Sequence, residues 1–390
     1  MGGVDKRGLP VLKDIGRALQ GVAVVGAFNT PQARTLPGRT SASVTLEAAK
    51  GALAQAGLAM ADVDGFNITV GLDAEASAAF AYDVGAEHFW IGHEMDGVQA
   101  VLEAALAVAS GECAVALIAS GQASLYTDRA STAPWTRPTN EFIETWGLHT
   151  AVEWALPAQR YLHEFGIKPE DVAHIPATIR NYGAVNPNAV YYGRGPFTPD
   201  DILASRMVAS PYRLLDCATT SEGGSAIVLT DRERARDLPA APIRLLGGGR
   251  EEWGPTYVNP PAYRRTGPVG RRAADAAFAQ AGIARDDVDV FEVYDNFTYE
   301  IPRYFEAYGY CAPGEGAQLL SPENIRLDGR YPICTDGGVM AHSHTGYSQL
   351  TQKVVRAVQQ LRGTANVNQV PGAKIALANW PKGLLLMTSE

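Results

Sequence analysis

The segments AAKGALAQAGLAMADVDGFNI (residues 48–68) and AADAAFAQAGIARDDVDVFEV (residues 273–293) are copies of one another. Each copy predicts an apolar-striped helix, a glycine stop, a short acidic turn and a hydrophobic strand. A repeat spaced this widely is too long for a solenoid unit, so it indicates a duplicated α/β domain with one half at each end of the chain. We expect the functional site to lie between the halves, where equivalent loops meet.

The length and composition agree with two domains. A chain of 390 residues is too long for one ordinary core, and we predict an N-terminal half over 1–235 and a C-terminal half over 236–390. The net charge of -9 gives no reason to expect nucleic acid or an anionic membrane as a partner. Neither a signal in Met1–Leu19 nor an apolar run of about 20 residues is found, which predicts a cytoplasmic protein.

Alternating strands and helices in each half predict mostly parallel sheets covered by helices. We expect the two repeat helices to pack between two central sheets. The stretch from about 122 to 213 is rich in Pro, Trp, Tyr and Thr, and it predicts an insertion lying over the site. Two helices are predicted there, Pro157–Phe165 and Pro169–Tyr182, each opening on its proline. A loop over Gly337–His344 and a helix over Gln349–Leu361 are predicted near the end of the chain.

Four longer stretches carry a family resemblance. They are GHEMDGVQAVLEAALAVASGECAVALIASGQ (92–122), LLDCATTSEGGSAIVL (214–229), EVYDNFTYEIPRYFEAYGYCAPGEG (292–316) and DGGVMAHSHTGYSQLTQKVVRAVQQLRG (336–363). In these stretches and their order the chain resembles the thiolase superfamily, and more narrowly its lipid-transfer-protein branch. The resemblance implies a layered αβαβα thiolase fold made of two duplicated halves. It also implies a homodimer and a small OB-fold/zinc-ribbon protein as a partner.

The nucleophilic cysteine that a thiolase resemblance implies is missing. The family places it three residues before the glycine of C-x-x-G at a helix start; that glycine is Gly97 here, and the cysteine position holds Glu94. The second family cysteine would fall in residues 376–383, which contain none. The four cysteines lack C-x-x-C spacing and predict reduced thiols. Acyl transfer through cysteine is therefore not expected, and Glu94 is predicted to have a structural or polarising role.

Other family positions have also changed. The branch carries E-V-H-D-x-F where this chain has Tyr294 in place of the histidine, followed by Asp295. The family's G-H-P corresponds to Ser343-His344-Thr345, and His342 lies two residues upstream of His344. Tyr294 in Y-D-x-F-T resembles the thiolase-like steroid side-chain aldolases, which implies a catalytic tyrosine at 294 and a second tyrosine where this chain has His342. Asp295 is predicted to orient loop backbone.

Retro-aldol cleavage of a thioester requires a base for the β-hydroxyl and donors for the enolate that remains. Tyr294 could be the base if a cation such as protonated His342 or His344 stabilised its phenolate. Alternatively, neutral His342 is the base and Tyr294 donates a hydrogen bond. His344 suits the enolate oxygen and its reprotonation. His342 and His344 lack a third ligand for a metal, so no metal is predicted, and no cofactor beyond a CoA thioester substrate.

The sequence therefore predicts an aldolase that cleaves a bulky, steroidal β-hydroxyacyl-CoA thioester into a ketone or aldehyde and a short acyl-CoA. Two alternatives stay open. A non-catalytic thiolase-like subunit that only scaffolds a partner would also have lost the cysteines. An acyltransferase that uses Glu94 is the third hypothesis.

Overall fold

The computed structural model describes residues 15–71, 73, 75–124, 150–251, 270–345 and 351–389. Several predicted regions extend beyond these residues. They include the start of the N-terminal half, the 125–149 part of the insertion, residues 252–269 of the C-terminal half, and the first two residues of the helix predicted from Gln349. In the described part of the chain no helix is long and apolar enough to cross a membrane.

The strands lie at both ends of the chain, with a small pair in the insertion. They are β1 (Val22–Asn29), β2 (Gly65–Val70), β3 (Trp90–Ile91), β4 (Val115–Gln122), β5 (Met207–Ala209), β6 (Tyr212–Arg213), β7 (Gly223–Asp231), β8 (Ile243–Arg250), β9 (Val290–Glu292), β10 (Ile375–Trp380) and β11 (Gly383–Thr388).

The helices alternate with these strands. They are α1 (Ile15–Gln20), α2 (Ser41–Ala56), α3 (Ser77–Asp83), α4 (Gly97–Ser110), α5 (Thr150–Phe165), α6 (Pro169–Val172), α7 (His174–Val185), α8 (Pro199–Ala204), α9 (Arg232–Ala235), α10 (Arg271–Ala281), α11 (Glu300–Tyr308), α12 (Gly316–Leu319) and α13 (Thr351–Arg362).

Nine strands form one sheet in the order β3-β2-β4-β7-β1-β8-β11-β10-β9. Among the described residues, the strands of the two halves occupy opposite sides of the sheet and meet where β1 pairs with β8. Outward from that junction both halves repeat one pattern of antiparallel, antiparallel and parallel pairing. The pattern extends one step further, because β2 pairs with β3 in parallel and Phe291 forms a parallel bridge with Ile333. The repeat in the sequence is thus a repeat in topology.

The expectation of mostly parallel sheets is wrong. In each half one strand, β7 or β11, lies between two others and runs antiparallel to both. The connection between β10 and β11 is only two residues long, and so short a connection can join antiparallel strands but not parallel ones.

The helices pack on the strands of each half and form layers that alternate with them. α2 packs on strands of the first half and α10 on strands of the second, whereas α4 and α13 contact strands of both halves. The order of layers is therefore α2, first-half strands, α4 with α13, second-half strands, α10. This arrangement confirms the predicted αβαβα fold class.

The repeat helices do not lie between the sheets as predicted, but on the outer faces. α2 buries one stripe that includes Ala48 and Ala52 and exposes Lys50, as a helix with one solvated face does. A helix between two sheets must be covered on every side, and nearly all of α13 is buried. The first residues of α4 and α13 touch, since a Cβ on Gly97 would lie 2.2 Å from Thr351 Oγ1.

Polar residues that recur in the repeat make the same bonds in both halves. The Oε1 atoms of Gln55 and Gln280 accept backbone N–H groups of β1 and β8, at 3.2 and 3.1 Å. Asp64 and Asp289 accept the first N–H groups of β4 and β10, at 2.8 and 3.0 Å. Gln55 and Gln280 therefore tie helix to strand, and Asp64 and Asp289 tie neighbouring strands together, in the same way in both halves.

The insertion contains helices, as predicted, but both predicted helices have other bounds. The second one is divided at Ala173 into α6 and α7, and α7 continues to Val185. α5 begins at Thr150, and Pro157 lies inside it rather than at its first turn. Buried Ala155, Ala158 and Tyr161 line one side of this helix, and their packing sustains it across a residue that lacks a backbone N–H. Pro169 does open α6, as expected.

Candidate active site

Tyr294 lies just beyond the end of β9, beside the end of β10. Its backbone N–H donates to Asn379 Oδ1 at 2.5 Å, and Asn379 Nδ2 donates to the Tyr308 hydroxyl at 2.7 Å. β9 and β10 are parallel neighbours, so their carboxyl ends meet at one edge of the sheet. The backbone of Tyr294 is therefore fixed by a side chain of the adjacent strand β10. Only 9% of the Tyr294 surface is exposed.

His344 faces Tyr294. The phenol oxygen and His344 Nε2 lie 3.4 Å apart, and the two rings stack at 24° with centroids 6.4 Å apart. His344 is half-buried, and desolvation by the surrounding protein lowers the pKa of its imidazole to about 4. The imidazole is neutral at pH 7 and can accept the phenol proton in the tautomer protonated at Nδ1. A cationic His344 that stabilises a phenolate, considered from the sequence, does not fit this environment.

The loop that carries His344 contains a π-helical turn over Gly338–His342. Asp295 holds this turn, because its carboxylate oxygens accept the N–H groups of Val339 at 2.9 Å and Met340 at 3.0 Å. Gly338 has a φ of +57°, and a Cβ there would lie 2.1 Å from Asp295 Oδ2, so the position requires glycine. Asp295 thus makes the contacts expected of a residue that orients backbone.

His342 lies in the same turn but has a different partner. Its Nδ1 is 2.9 Å from Asp336 Oδ2, and both side chains are buried. Burial by itself would raise the pKa of Asp336, but His342 and the nearby cations Lys353 and Arg356 outweigh it and lower that pKa. The structure therefore brings Tyr294 to His344 and gives His342 a carboxylate neighbour.

A buried ion pair lies beneath the turn. Lys353 Nζ is 2.6 Å from Asp295 Oδ1 and 3.4 Å from Cys334 Sγ, and neither charged side chain reaches solvent. Although burial alone would lower the pKa of Lys353, the charge of Asp295 and other anions raises it above its ordinary value. Lys353 is charged, and it neutralises the carboxylate that holds the turn.

Sequence reasoning missed this group of buried ionisable residues. Glu292 belongs to it, and burial followed by the charge of Asp336 raises the pKa of Glu292 to about 7. A signal was present in α13, where Lys353, Arg356 and Gln360 recur at helical spacing on a helix that is buried nearly all round. A polar stripe inside a central helix indicates a buried hydrogen-bond network.

Glu94 lies before α4 and pairs with Arg250, at the end of β8. Its backbone N–H donates to Glu103 at 3.2 Å. The gathering of Glu94 in one pocket with Tyr294 and His344 stays a prediction. The side chain that stands at the family's cysteine position is paired with a cation of the other half.

The four cysteines are free and scattered. Burial is the main cause of the raised pKa of each thiol, to about 12 for Cys113, Cys217 and Cys311, and well above the ordinary value for Cys334. Each is therefore protonated at neutral pH, unlike a nucleophilic thiolate.

The insertion packs against the site loops. Its backbone bonds the turn directly, since Val190 N–H donates to the His342 carbonyl at 3.0 Å. Trp154 and Tyr212 pack on Phe297, three residues after Tyr294, with ring centroids 6.2 and 4.6 Å apart. These aromatic residues of the insertion form packing contacts beside the site. Among the described residues no group of three His, Cys, Asp or Glu side chains is arranged to hold a metal ion.

Comparisons with known proteins agree with this fold. The family model for the thiolase C-terminal domain-like region matches residues 266–389. A steroid side-chain-cleaving aldolase of Thermomonospora curvata is 31% identical over 91% of this chain and 93% of that protein. A 17-hydroxy-3-oxo-4-pregnene-20-carboxyl-CoA lyase of Mycobacterium tuberculosis is 33% identical over 93% of this chain and 96% of that protein.

Solved structures of related proteins have the same fold. The Ltp2-ChsH2(DUF35) aldolase superposes with a TM-score of 0.83 and 28% identity, covering 95% of this chain and 98% of that chain. Human mitochondrial 3-ketoacyl-CoA thiolase, at 17% identity and a TM-score of 0.67 over 95% of this chain and 98% of its own, shares the fold. The chain therefore belongs to the thiolase superfamily, among its steroid side-chain-cleaving aldolases, and is a carbon–carbon lyase of that fold.

Proposed function

We propose that this chain cleaves the Cα–Cβ bond of a β-hydroxyacyl-CoA thioester that carries a bulky steroid group. The reaction uses no cysteine nucleophile. The observation that carries the proposal is the pair formed by Tyr294 and neutral His344, with 3.4 Å between the phenol oxygen and Nε2. The name of the M. tuberculosis relative describes a substrate with a hydroxyl on carbon 17 and a CoA carboxyl on carbon 20. In such a compound the hydroxyl is β to the thioester carbonyl.

The reaction balances with these two residues. The substrate hydroxyl gives its proton to the Tyr294 oxygen as the phenol passes its own proton to His344 Nε2. In the same step the Cα–Cβ electrons move onto the thioester as the ketone forms. Finally the imidazolium returns a proton to the α-carbon of the enolate. One proton leaves oxygen and one is added to carbon, so the reaction requires no oxidant, reductant or cofactor beyond the CoA thioester itself.

The low pKa of His344 suits the last reaction step, the protonation of the enolate. An imidazole with a pKa near 4 is a weak base, so proton transfer to it must be coupled to bond cleavage. Once formed, its imidazolium is a strong acid and protonates the enolate readily. The base assignment proposed here is thus Tyr294 with His344. His342, at 2.9 Å from Asp336, belongs to the support of the turn.

The protonated thiols support a mechanism without an acyl-cysteine, because none of the four provides a thiolate at neutral pH. The ion pair with Arg250 gives no support to Glu94 as an acyl carrier. A pure scaffold would have no need of the pair formed by Tyr294 and His344. We also propose that the chain acts in the cytoplasm as a homodimer, with a small OB-fold/zinc-ribbon protein of the DUF35 type named with its structural relative.

The test is incubation with a steroid β-hydroxyacyl-CoA, with and without a DUF35-type partner, followed by mass spectrometry. We expect a 17-ketosteroid or the corresponding aldehyde together with a short acyl-CoA, in equal amounts. The matched control substrate lacks only the β-hydroxyl and must remain intact. Absence of cleavage in both preparations, or cleavage of the control, would contradict the proposed retro-aldol reaction.

A further inference from the structure

Ser221, in the loop before β7, holds the main chain of His344 at two points. Its hydroxyl oxygen accepts the His344 N–H at 2.6 Å, and its own backbone N–H donates to the His344 carbonyl at 3.1 Å. Ser221 is fully buried. It belongs to the first half of the chain, whereas His344 belongs to the second, so this clamp joins the halves at the site.

The hydroxyl of Ser221 has a second partner that fixes its direction. It lies 2.8 Å from Ser343 Oγ, and Ser343 Oγ donates to Gln32 Oε1 at 2.7 Å. Gln32 Nε2 donates to the carbonyls of Thr30 and Gly224, at 2.8 and 3.2 Å, which leaves its Oε1 as the acceptor. The proton of Ser343 is thereby committed to Gln32, so Ser221 donates to Ser343 and presents its lone pair to His344.

This chain of bonds stabilises one position of the imidazole. Every member from Ser221 to Gln32 is buried, and a buried network whose donors and acceptors are all used is rigid. The Asp295 carboxylate fixes the turn before His344, whereas Ser221 is bonded to the backbone of His344 itself. A histidine that exchanges a proton with Tyr294 must be held within a fraction of an ångström.

We propose that Ser221 is a positioning residue for the reaction, acting through His344 and holding its imidazole against Tyr294; this inference rests on the proposed function. Loss of the hydroxyl leaves the His344 N–H without its acceptor and Ser343 without its donor. The imidazole then departs from its position, the proton transfer slows, and substrate binding is little changed.

The test compares Ser221→Ala with Ser77→Ala in the full-length protein. Ser77 is the matched control because it is also a buried serine whose Oγ accepts a backbone N–H, that of Ile68 at 2.8 Å, and it lies in the first half away from His344. We expect Ser221→Ala to lower kcat by roughly 10-fold or more with KM within about twofold, the scale of a misplaced reacting group. Ser77→Ala should lose similar thermal stability and keep kcat.

A second measurement does not depend on turnover. The titration of the His344 imidazole, followed by its nitrogen chemical shifts in uniformly labelled protein, should move towards the value of free histidine in Ser221→Ala and stay in place in Ser77→Ala. If Ser221→Ala does not fold, Ser343→Ala decides, because it removes the hydroxyl that orients Ser221 and should change kcat and the titration in the same direction.

The outcomes separate the two proposals. If wild-type protein cleaves no β-hydroxyacyl-CoA substrate, the proposed function fails, and the His344 titration still tests the clamp. If wild-type protein is active and Ser221→Ala, or Ser343→Ala in its place, matches Ser77→Ala in both kcat and titration, Ser221 is not a positioning residue.

Discussion

Two residues at the ends of neighbouring loops carry the proposed chemistry. Tyr294 replaces the histidine of the family motif, and His344 keeps the family's histidine. Each supplies what the other lacks, because a protonated phenol is a poor base alone, and the desolvated imidazole of His344 is a weak base that accepts a proton only from a partner in contact. The pair is thus more informative than either residue separately.

Removal of one oxygen tests this pair. Tyr294→Phe should lower kcat by roughly 10²-fold or more, the usual scale for a lost acid–base group, while the protein still folds. Tyr310→Phe is the control, since Tyr310 is a half-buried tyrosine of the same half whose buried hydroxyl has no hydrogen-bond partner among the described residues. The measurement is steady-state kinetics on a verified substrate, and a Tyr294→Phe variant with the wild-type kcat would refute the assignment.

The pH dependence should show the environment of His344. Burial lowers its pKa to about 4 from an ordinary value near 6.5, so kcat should be constant from neutrality down to about pH 5 and fall only below that. Between those pKa values the unfolded chain binds a proton that the folded protein lacks, so stability from this group rises with pH across that window. A kcat limb near pH 6.5, absent from His342→Gln, would assign the base to His342 instead.

Cysteine chemistry can be excluded directly. Replacement of Cys113, Cys217, Cys311 and Cys334 one at a time by Ser or Ala should spare kcat in every variant that folds, because burial keeps each thiol protonated. Alkylation of the folded wild-type protein with iodoacetamide serves as a second measurement. Loss of turnover in a folded single variant would point to an acyl-cysteine step.

At the scale of elements, α13 supports the π-helical turn through Asp295. α13 lies between the sheets and is nearly fully buried, yet it carries Lys353 and Arg356 on its buried surface. Arg356 donates to Thr335 Oγ1 at 2.8 Å, and Lys353 pairs with Asp295 under the turn. The helix thereby connects the layered core to the turn that precedes His344.

Removal of Lys353 from its buried ion pair with Asp295 should strongly destabilise the fold. Lys353→Met leaves the Asp295 carboxylate buried without its cation and should cost about 3–5 kcal/mol of unfolding free energy. The control is Arg160→Ala, which removes an exposed ion pair with Glu164 and should change stability by about 0.5 kcal/mol or less. Denaturant unfolding measures both, and equal stabilities for the two variants would show that the Lys353 pair does not support the fold.

At the scale of the whole molecule, the two halves share one core. α4 belongs to the first half but also packs on β10 and β11, and α13 belongs to the second half but packs on β1 and β7. Separation of the halves would expose an apolar face of each central helix. The division into 1–235 and 236–390 stays a prediction, and the helical layer formed by α4 and α13 joins the two parts.

This arrangement predicts that neither half folds alone. Expressed separately, 1–235 and 236–390 should each lack a cooperative thermal transition, because the packing of α4 on β10 and β11, or of α13 on β1 and β7, is lost. The full chain should unfold in one transition. Near-UV circular dichroism and calorimetry measure this, and the full-length protein is the control. A cooperative transition of 1–235 at the temperature of the full chain would contradict the shared core.

The sequence by itself determined the duplication, the layered α/β class, the absence of cysteines from the family's nucleophile positions, and the candidates Tyr294 and His344. These depend on local patterns and on motif positions, which are readable one residue at a time. The repeat also carries bonds local to each half, such as those of Gln55 and Gln280, and these follow directly from the duplicated segments.

Only the tertiary structure decided which residues meet. The sequence placed the repeat helices between the sheets, whereas packing puts those helices on the outer faces, and only the structure shows that Glu94 pairs with Arg250. The sequence does not distinguish the roles of His342 and His344, which lie two positions apart. In the structure His342 contacts Asp336 and His344 contacts Tyr294. The physical reason is that charge and burial depend on neighbours distant in the chain, and no local pattern specifies them.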